Sequence, residues 1–209
     1  MKYVILMADI IGSSEYEGAS LMDVFSAAVS RVNDRHRSCI RSPLTITLGD
    51  EFQGVVKDLP AAVDIIFDMD EQCLQMDPSF RLRYVIRLGE IDTVINHESS
   101  HGMLGAGLTA AREQLESMKK GDQEIAVRGF NSSACEELDL AFQLYRAFYS
   151  DWPEKDKTTA LDFIRHRDYK TLAGMYGKDV STMWRKERSL RMEDFYASRS
   201  LIKLLLRHA

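Results

Sequence analysis

The chain has three cysteines, Cys39, Cys73 and Cys135, odd in number, far apart and with no CxxC pair, which excludes a disulfide frame and a zinc knuckle and fits a reducing compartment. Long hydrophobic runs are missing too. The most apolar stretch, residues 3–11 ("YVILMADII"), holds Asp9, has no cationic flank and is too short to span a bilayer, so it reads as a buried strand and the expected location is the cytoplasm. There is no internal repeat and no low-complexity tract, and the apolar and charged fractions are those of an ordinary globular chain. Positive charge is scarce over most of the length: residues 1–164 carry 16 Lys and Arg against 27 Asp and Glu, a balance of −11. Residues 165–209 reverse this, with 11 against 5, or +6. A basic tail on an acidic body points to a nucleic-acid contact, although a solvated basic helix gives the same count.

The order of elements can be read from hydrophobic periodicity. After the first strand comes the breaker "IGSS", then a helical face of Leu21, Val24, Phe25, Ala28, Val29 and Val32, which Ser42-Pro43 is expected to stop. The runs "LTITL" and "FQGVV" flank Gly49-Asp50-Glu51 as a hairpin, since Gly and Asp suit a tight turn. Pro60 opens a second helix that ends at Asp77-Pro78. In "FRLRYVIRLGEI" one face is apolar (Phe80, Leu82, Tyr84, Ile86, Leu88) and the other largely cationic (Arg81, Arg83, Arg87), which predicts a strand. The order βαββαβ predicts an α+β, ferredoxin-like domain, a four-stranded antiparallel sheet with both helices on one face. Beyond it the pattern predicts a helix over 104–120, a short strand "EIAV", a helix over 132–149, a polar break at 151–157 and further helices. The expected units are 1–150 and 158–209.

In that topology the end of strand one and the tip of the hairpin share a sheet edge, so Asp9 and Asp50 are candidates for a paired-carboxylate site of the kind that holds Mg2+ and a triphosphate. Four stretches in order, "YVILMADIIGSS", "TLGDEFQG", "VIRLGEI" and "GLTAARE", resemble motifs of class III nucleotide cyclases over roughly the first 120 residues. The whole chain resembles the SatD family. The cyclase resemblance implies that Asp9 and Asp50, with the Ile10 carbonyl, bind a divalent metal, and that the amides of Ile11, Gly12, Ser13 and Ser14 cradle phosphate at a helix start, as backbone physics also favours. Glu51 resembles the Glu of the Gly-Gly-Asp-Glu-Phe hairpin in diguanylate cyclases, with Leu48 where their first Gly stands, and is placed with the nucleotide-binding residues. The purine-selecting Lys falls at Ile46 and the transition-state Asn at Leu108, while Arg112 is kept and would be the catalytic Arg of an active enzyme. These departures favour a binding domain over an active nucleotidyl cyclase or other metal-dependent phosphoryl-transfer enzyme, which is the alternative.

His97-Glu98-Ser99-Ser100-His101 is a literal HExxH, but serines fill it and Gly102 and Gly105 follow it, so a polar loop is expected rather than a zinc helix. In the tail, "DYKTLAGMYGKDVSTMWRKERSLR" has the pattern of a helix-turn-helix. Leu172, Ala173 and Tyr176 share one face, Gly177 turns, and Val180, Met183 and Trp184 are expected to be buried. Its exposed candidates for DNA are Ser181, Thr182, Arg185, Lys186 and Arg188. The sequence therefore predicts a homodimeric cytoplasmic regulatory protein with a nucleotide- and Mg-binding body and a DNA-binding tail.

Overall fold

The computed structural model describes all residues except 16, 17, 48 and 209; Leu48, with its hairpin comparison, lies outside the described residues. Strand β1 (Lys2–Ile10) is the centre of a five-stranded sheet of order β2-β3-β1-β4-β5, with β2 at Ile40–Ile46, β3 at Glu51–Val56, β4 at Leu82–Glu90 and β5 at Ile125–Arg128. β1 is antiparallel to both β3 and β4, and β5 is parallel to β4. The first four strands follow the order expected of βαββαβ. Ser42-Pro43 does not stop a helix: α1 (Gly18–Arg35) ends earlier, and Pro43 sits inside β2. There its missing N–H costs nothing, because β2 is an edge strand.

Alternation along β1 assigns the two faces. Val4, Leu6, Ala8 and Ile10 join a large core with α1, α2 (Leu59–Gln75) and α4 (Ser132–Asp151), while Ile5 and Met7 join a smaller one with α3 (Ala106–Met118). The second face is thus covered by α3 rather than left to solvent, so Arg83 on the cationic side of β4 is buried. Close approach is possible because two glycines meet: a Cβ on Gly107 would lie 2.6 Å from the Gly89 carbonyl carbon. α2 starts at the cap Asp58, whose carboxylate accepts from the Ala61 amide.

The first core contains a polar knot. Asp70, on the buried face of α2, accepts from Tyr84 Oη at 2.9 Å and Tyr145 Oη at 3.0 Å and faces the Arg146 guanidinium at 3.0 Å. Arg146 also donates to the Leu82 carbonyl and lies 3.1 Å from Glu124. Burial pushes the Asp70 carboxyl upward against the pull of Arg146, and pushes both phenols well above their ordinary values.

Four helices follow: α5 (Lys157–His166), α6 (Tyr169–Tyr176), α7 (Val180–Ser189) and α8 (Met192–Leu205). α5 packs on α2, and α8 packs on the body through Phe195, whose ring centre lies 5.0 Å from that of Trp152 and 5.6 Å from that of Tyr145. Trp152 Nε1 donates to the Leu190 carbonyl at 2.9 Å, and Arg199 pairs with Glu71 at 2.7 Å while stacking on Phe67. Among the described residues no helix is long and apolar enough to cross a membrane.

Asp70→Asn removes the charge that compensates a buried guanidinium. It is expected to cost about 3–5 kcal/mol of stability, measured by urea unfolding. A loss below about 1 kcal/mol would show that the knot is not the tie between α2, α4 and the sheet.

Candidate functional site

The candidate residues lie at the C-terminal end of β1 and the N-terminal ends of β3 and β4. Gly49 takes φ +85°, so the hairpin turn does require glycine there. The Asp50 carbonyl accepts from the Ile10 amide at 3.0 Å, which carries the tip of the hairpin to the end of β1. The Asp50 carboxylate accepts from Ser13 Oγ at 2.7 Å, so it faces the loop after β1.

Asp9 is committed elsewhere. Its register partners are Glu51 on β3 and Arg83 on β4. Its carboxylate is 1% exposed and takes both oxygens to Arg83 NH1, at 2.9 and 3.0 Å. Lys119 Nζ, just past the end of α3, lies 3.4 Å from Asp9 Oδ2, 3.4 Å from Glu51 Oε1 and 2.7 Å from Glu116 Oε1. Burial raises the Asp9 carboxyl and outweighs the two cations that lower it. Burial alone would lower Lys119, but the Glu116 hydrogen bond and the neighbouring carboxylates hold it above the ordinary lysine range.

These contacts test the metal assignment. A divalent ion between Asp9 and Asp50 needs free carboxylate oxygens, and those of Asp9 are engaged by a guanidinium and an ammonium. Among the described residues no group of three or more His, Cys, Asp or Glu is arranged to hold an ion. As arranged, the pair does not fit a two-carboxylate metal centre.

The loop after β1 carries the four residues expected to cradle phosphate. The Ile11 amide donates to the Arg81 carbonyl at 2.9 Å and is spent, whereas Gly12, at φ +70°, precedes a short 3-10 turn that Ser13 and Ser14 open. Ile46, the last residue of β2, packs against the main core, and Leu108 lies on the buried face of α3. Both are packing residues where the cyclase pattern has polar groups. Arg112 is half-buried on α3 and makes no hydrogen bond or ion pair among the described residues.

The HExxH stretch is a loop, as expected. It covers the open edge of β2: His97 Nδ1 donates to the Arg41 carbonyl at 2.7 Å and the Ser100 amide donates to Thr45 Oγ1 at 2.9 Å. In the tail, Val180 and Trp184 are each 48% exposed, contrary to the expected buried face, and Met183 is the buried residue of α7. Tail packing goes instead to α8, whose Phe195 fills the aromatic cluster. Ser181, Thr182, Arg185 and Arg188 are exposed; Arg188 pairs with Glu193 at 3.2 Å, and Lys186 is tied to Asp156 at 2.5 Å.

Sequence reasoning missed Lys119 and the pairing role of Arg83. Arg83 had a signal, since it faces Asp9's side of the sheet in the alternation of β4; Lys119 had none, because its contact depends on where α3 ends.

The family model of the SatD family matches residues 3–171. The chain belongs to the SatD family. No curated protein matches it. Among solved structures it is similar to a bacterial light-regulated adenylyl cyclase, at 14% identity over 60% of this chain and 74% of that one, TM-score 0.47. It is also similar to the guanylate cyclase domain of RhGC from Catenaria anguillulae in complex with GTP, at 15% identity over 60% and 77%, TM-score 0.42. The adenylyl cyclase CyaB from P. aeruginosa is similar at 15% over 60% and 76%, TM-score 0.41.

Arg83→Leu strips the buried Asp9 of its guanidinium partner and is expected to destabilise the fold by about 3–5 kcal/mol at neutral pH. Asp9 already has its carboxyl raised by burial, so the folded variant favours the protonated acid more than the unfolded chain does. The penalty is therefore full above the folded pKa and fades as pH falls through it, because a neutral carboxyl needs no counter-charge. Unfolding midpoints from pH 7 down to pH 4 check this. A deficit that grows on acidification would refute it.

Proposed function

We propose that this SatD-family protein is a regulatory protein whose cyclase-like body binds a nucleotide or related phosphate ligand without performing metal-dependent phosphoryl transfer, and whose helical tail contacts DNA. The observation that carries this reading is the Asp9 carboxylate held by Arg83 and Lys119. A two-metal phosphoryl-transfer centre needs that carboxylate for an ion. With Asp9 neutralised internally, one of the two negative charges that would repel a phosphate arriving without metal is removed. The Gly12–Ser14 amides supply phosphate-directed donors, and Arg112 is a second group suited to anionic oxygen. Ile46 offers no hydrogen bond to a base edge, which fits a ligand held mainly through its phosphates.

For the tail, support comes from its net charge and from α7, which presents Ser181, Thr182 and Arg185 on one exposed surface beside Trp184. Hydroxyl and guanidinium groups of this kind meet phosphates and base edges. A homodimer would present two such surfaces to a two-fold DNA site.

Incubation with each nucleoside triphosphate and Mg2+ or Mn2+ is expected to release no pyrophosphate, while one nucleotide raises the melting temperature in EDTA as well as in Mg2+. Pyrophosphate release that vanishes in Asp9→Asn and Asp50→Asn would overturn the reading in favour of a cyclase. For the tail, gel shifts at low salt are expected to show DNA binding that weakens about tenfold in Arg185→Glu. No affinity for DNA at low salt would remove that half of the proposal.

A further inference from the structure

Lys119 is placed as an ion would be. Its ammonium lies within 3.4 Å of oxygens from Asp9 on β1, Glu51 on β3 and Glu116 on α3, three carboxylates from three separate elements. Asp9 and Glu51 are register partners on adjacent strands, both on the α3 side of the sheet and both buried. Two carboxylates brought together like that repel unless a cation sits between them. Arg83 answers for Asp9 alone; Glu51 has Lys119 as its cation partner.

The structure assigns Lys119 the role of a tethered cation that substitutes for a divalent metal at the strand carboxylates of a cyclase-like sheet. The charge balance carries the inference. Asp9, Glu51 and Glu116 contribute three negative charges, Arg83 and Lys119 two positive ones, which leaves −1 around a half-exposed lysine. Without Lys119 the cluster stands at −2, a charge that a divalent cation neutralises. An ammonium is a compact point charge on a flexible stem with three donors, and three carboxylates around it use that geometry as a guanidinium could not. Its tether is short: Lys119 caps the end of α3, so the Gly89–Gly107 contact that seats α3 on the sheet also seats the ammonium. Oxygens at 3.4 Å from nitrogen are too distant for direct metal coordination at about 2.1 Å, so the carboxylates must close in once the ammonium is gone.

The test uses the full chain and Mn2+ alone, so it is independent of any nucleotide or DNA. Lys119→Met is expected to lower the melting temperature in EDTA and to regain it in Mn2+. Electron paramagnetic resonance titration should show the variant binding one Mn2+ about tenfold or more tighter than the unaltered protein, whose melting temperature does not respond to Mn2+. Glu51→Gln in the Lys119→Met background is expected to abolish the gain, which separates this site from surface acids. Lys119→Gln, which keeps a hydrogen-bonding side chain without the charge, should gain Mn2+ binding as well. The proposal is overturned if neither lysine variant binds Mn2+ more tightly than the unaltered protein, if the unaltered protein binds it equally well, or if the gain survives Glu51→Gln.

Discussion

Arg146 is the group on which the arrangement of the rest depends. A fully buried guanidinium is tolerable only if every direction it faces is polar, and here those directions are Asp70 on α2, the Leu82 carbonyl on β4 and Glu124 just before β5. One side chain of α4 thus fixes a helix of the first layer, the start of a central strand and the entry to the edge strand. Glu124 extends the chain to Arg81 at 2.9 Å, and the Arg81 carbonyl receives the Ile11 amide. The loop after β1 is therefore positioned by a series of charged and backbone contacts that begins in the core.

The same physics decides the fate of Asp9. A carboxylate at the end of a buried strand must find a counter-charge, and there are two solutions, a metal ion from solution or a cation from the chain. β4 places Arg83 opposite Asp9 in register, and α3 delivers Lys119 from above. An internal cation is present at every metal concentration, so the fold of this sheet end is stable without an ion. The consequence for the packing is direct: the Asp9 carboxylate joins the end of β1 to β4 through Arg83 and to the end of α3 through Lys119.

How much of this was legible in the sequence follows from the range of each interaction. The strands and helices of the first ninety or so residues were readable, because strand alternation and helical spacing are local signals. The hairpin was readable from Gly49 and Asp50 for the same reason. Three features were not. That α3 covers the second face of the sheet depends on Gly89 and Gly107 meeting across eighteen residues, and nothing local to either announces it. The Asp70 knot was hidden because an acid on an apolar helical face looks like an interruption until Tyr84, Tyr145 and Arg146 are seen around it. Trp184 was misplaced because apolar spacing cannot distinguish a face packed on the body from one left exposed; the aromatic cluster around Trp152 takes Phe195 from α8, and Trp184 on α7 is left half-exposed.

The division of labour within the tail follows from that exchange. α8 carries the hydrophobic attachment, with Phe195 and Ile202 fully buried and Arg199 bound to α2, so it moves only if the core opens. α7 buries Met183 and is tied by Lys186 to Asp156, which leaves it the least anchored of the tail helices on the described contacts. From the loop after β1 a series of contacts runs through Arg81, Glu124, Arg146 and Asp70 to Tyr145, and Tyr145 stacks on Phe195. Contiguity of this kind is a route and not yet a switch, since coupling requires an element with two arrangements. α7 lies off that route: Met183 is its one buried residue, and it is the helix that presents Ser181, Thr182 and Arg185.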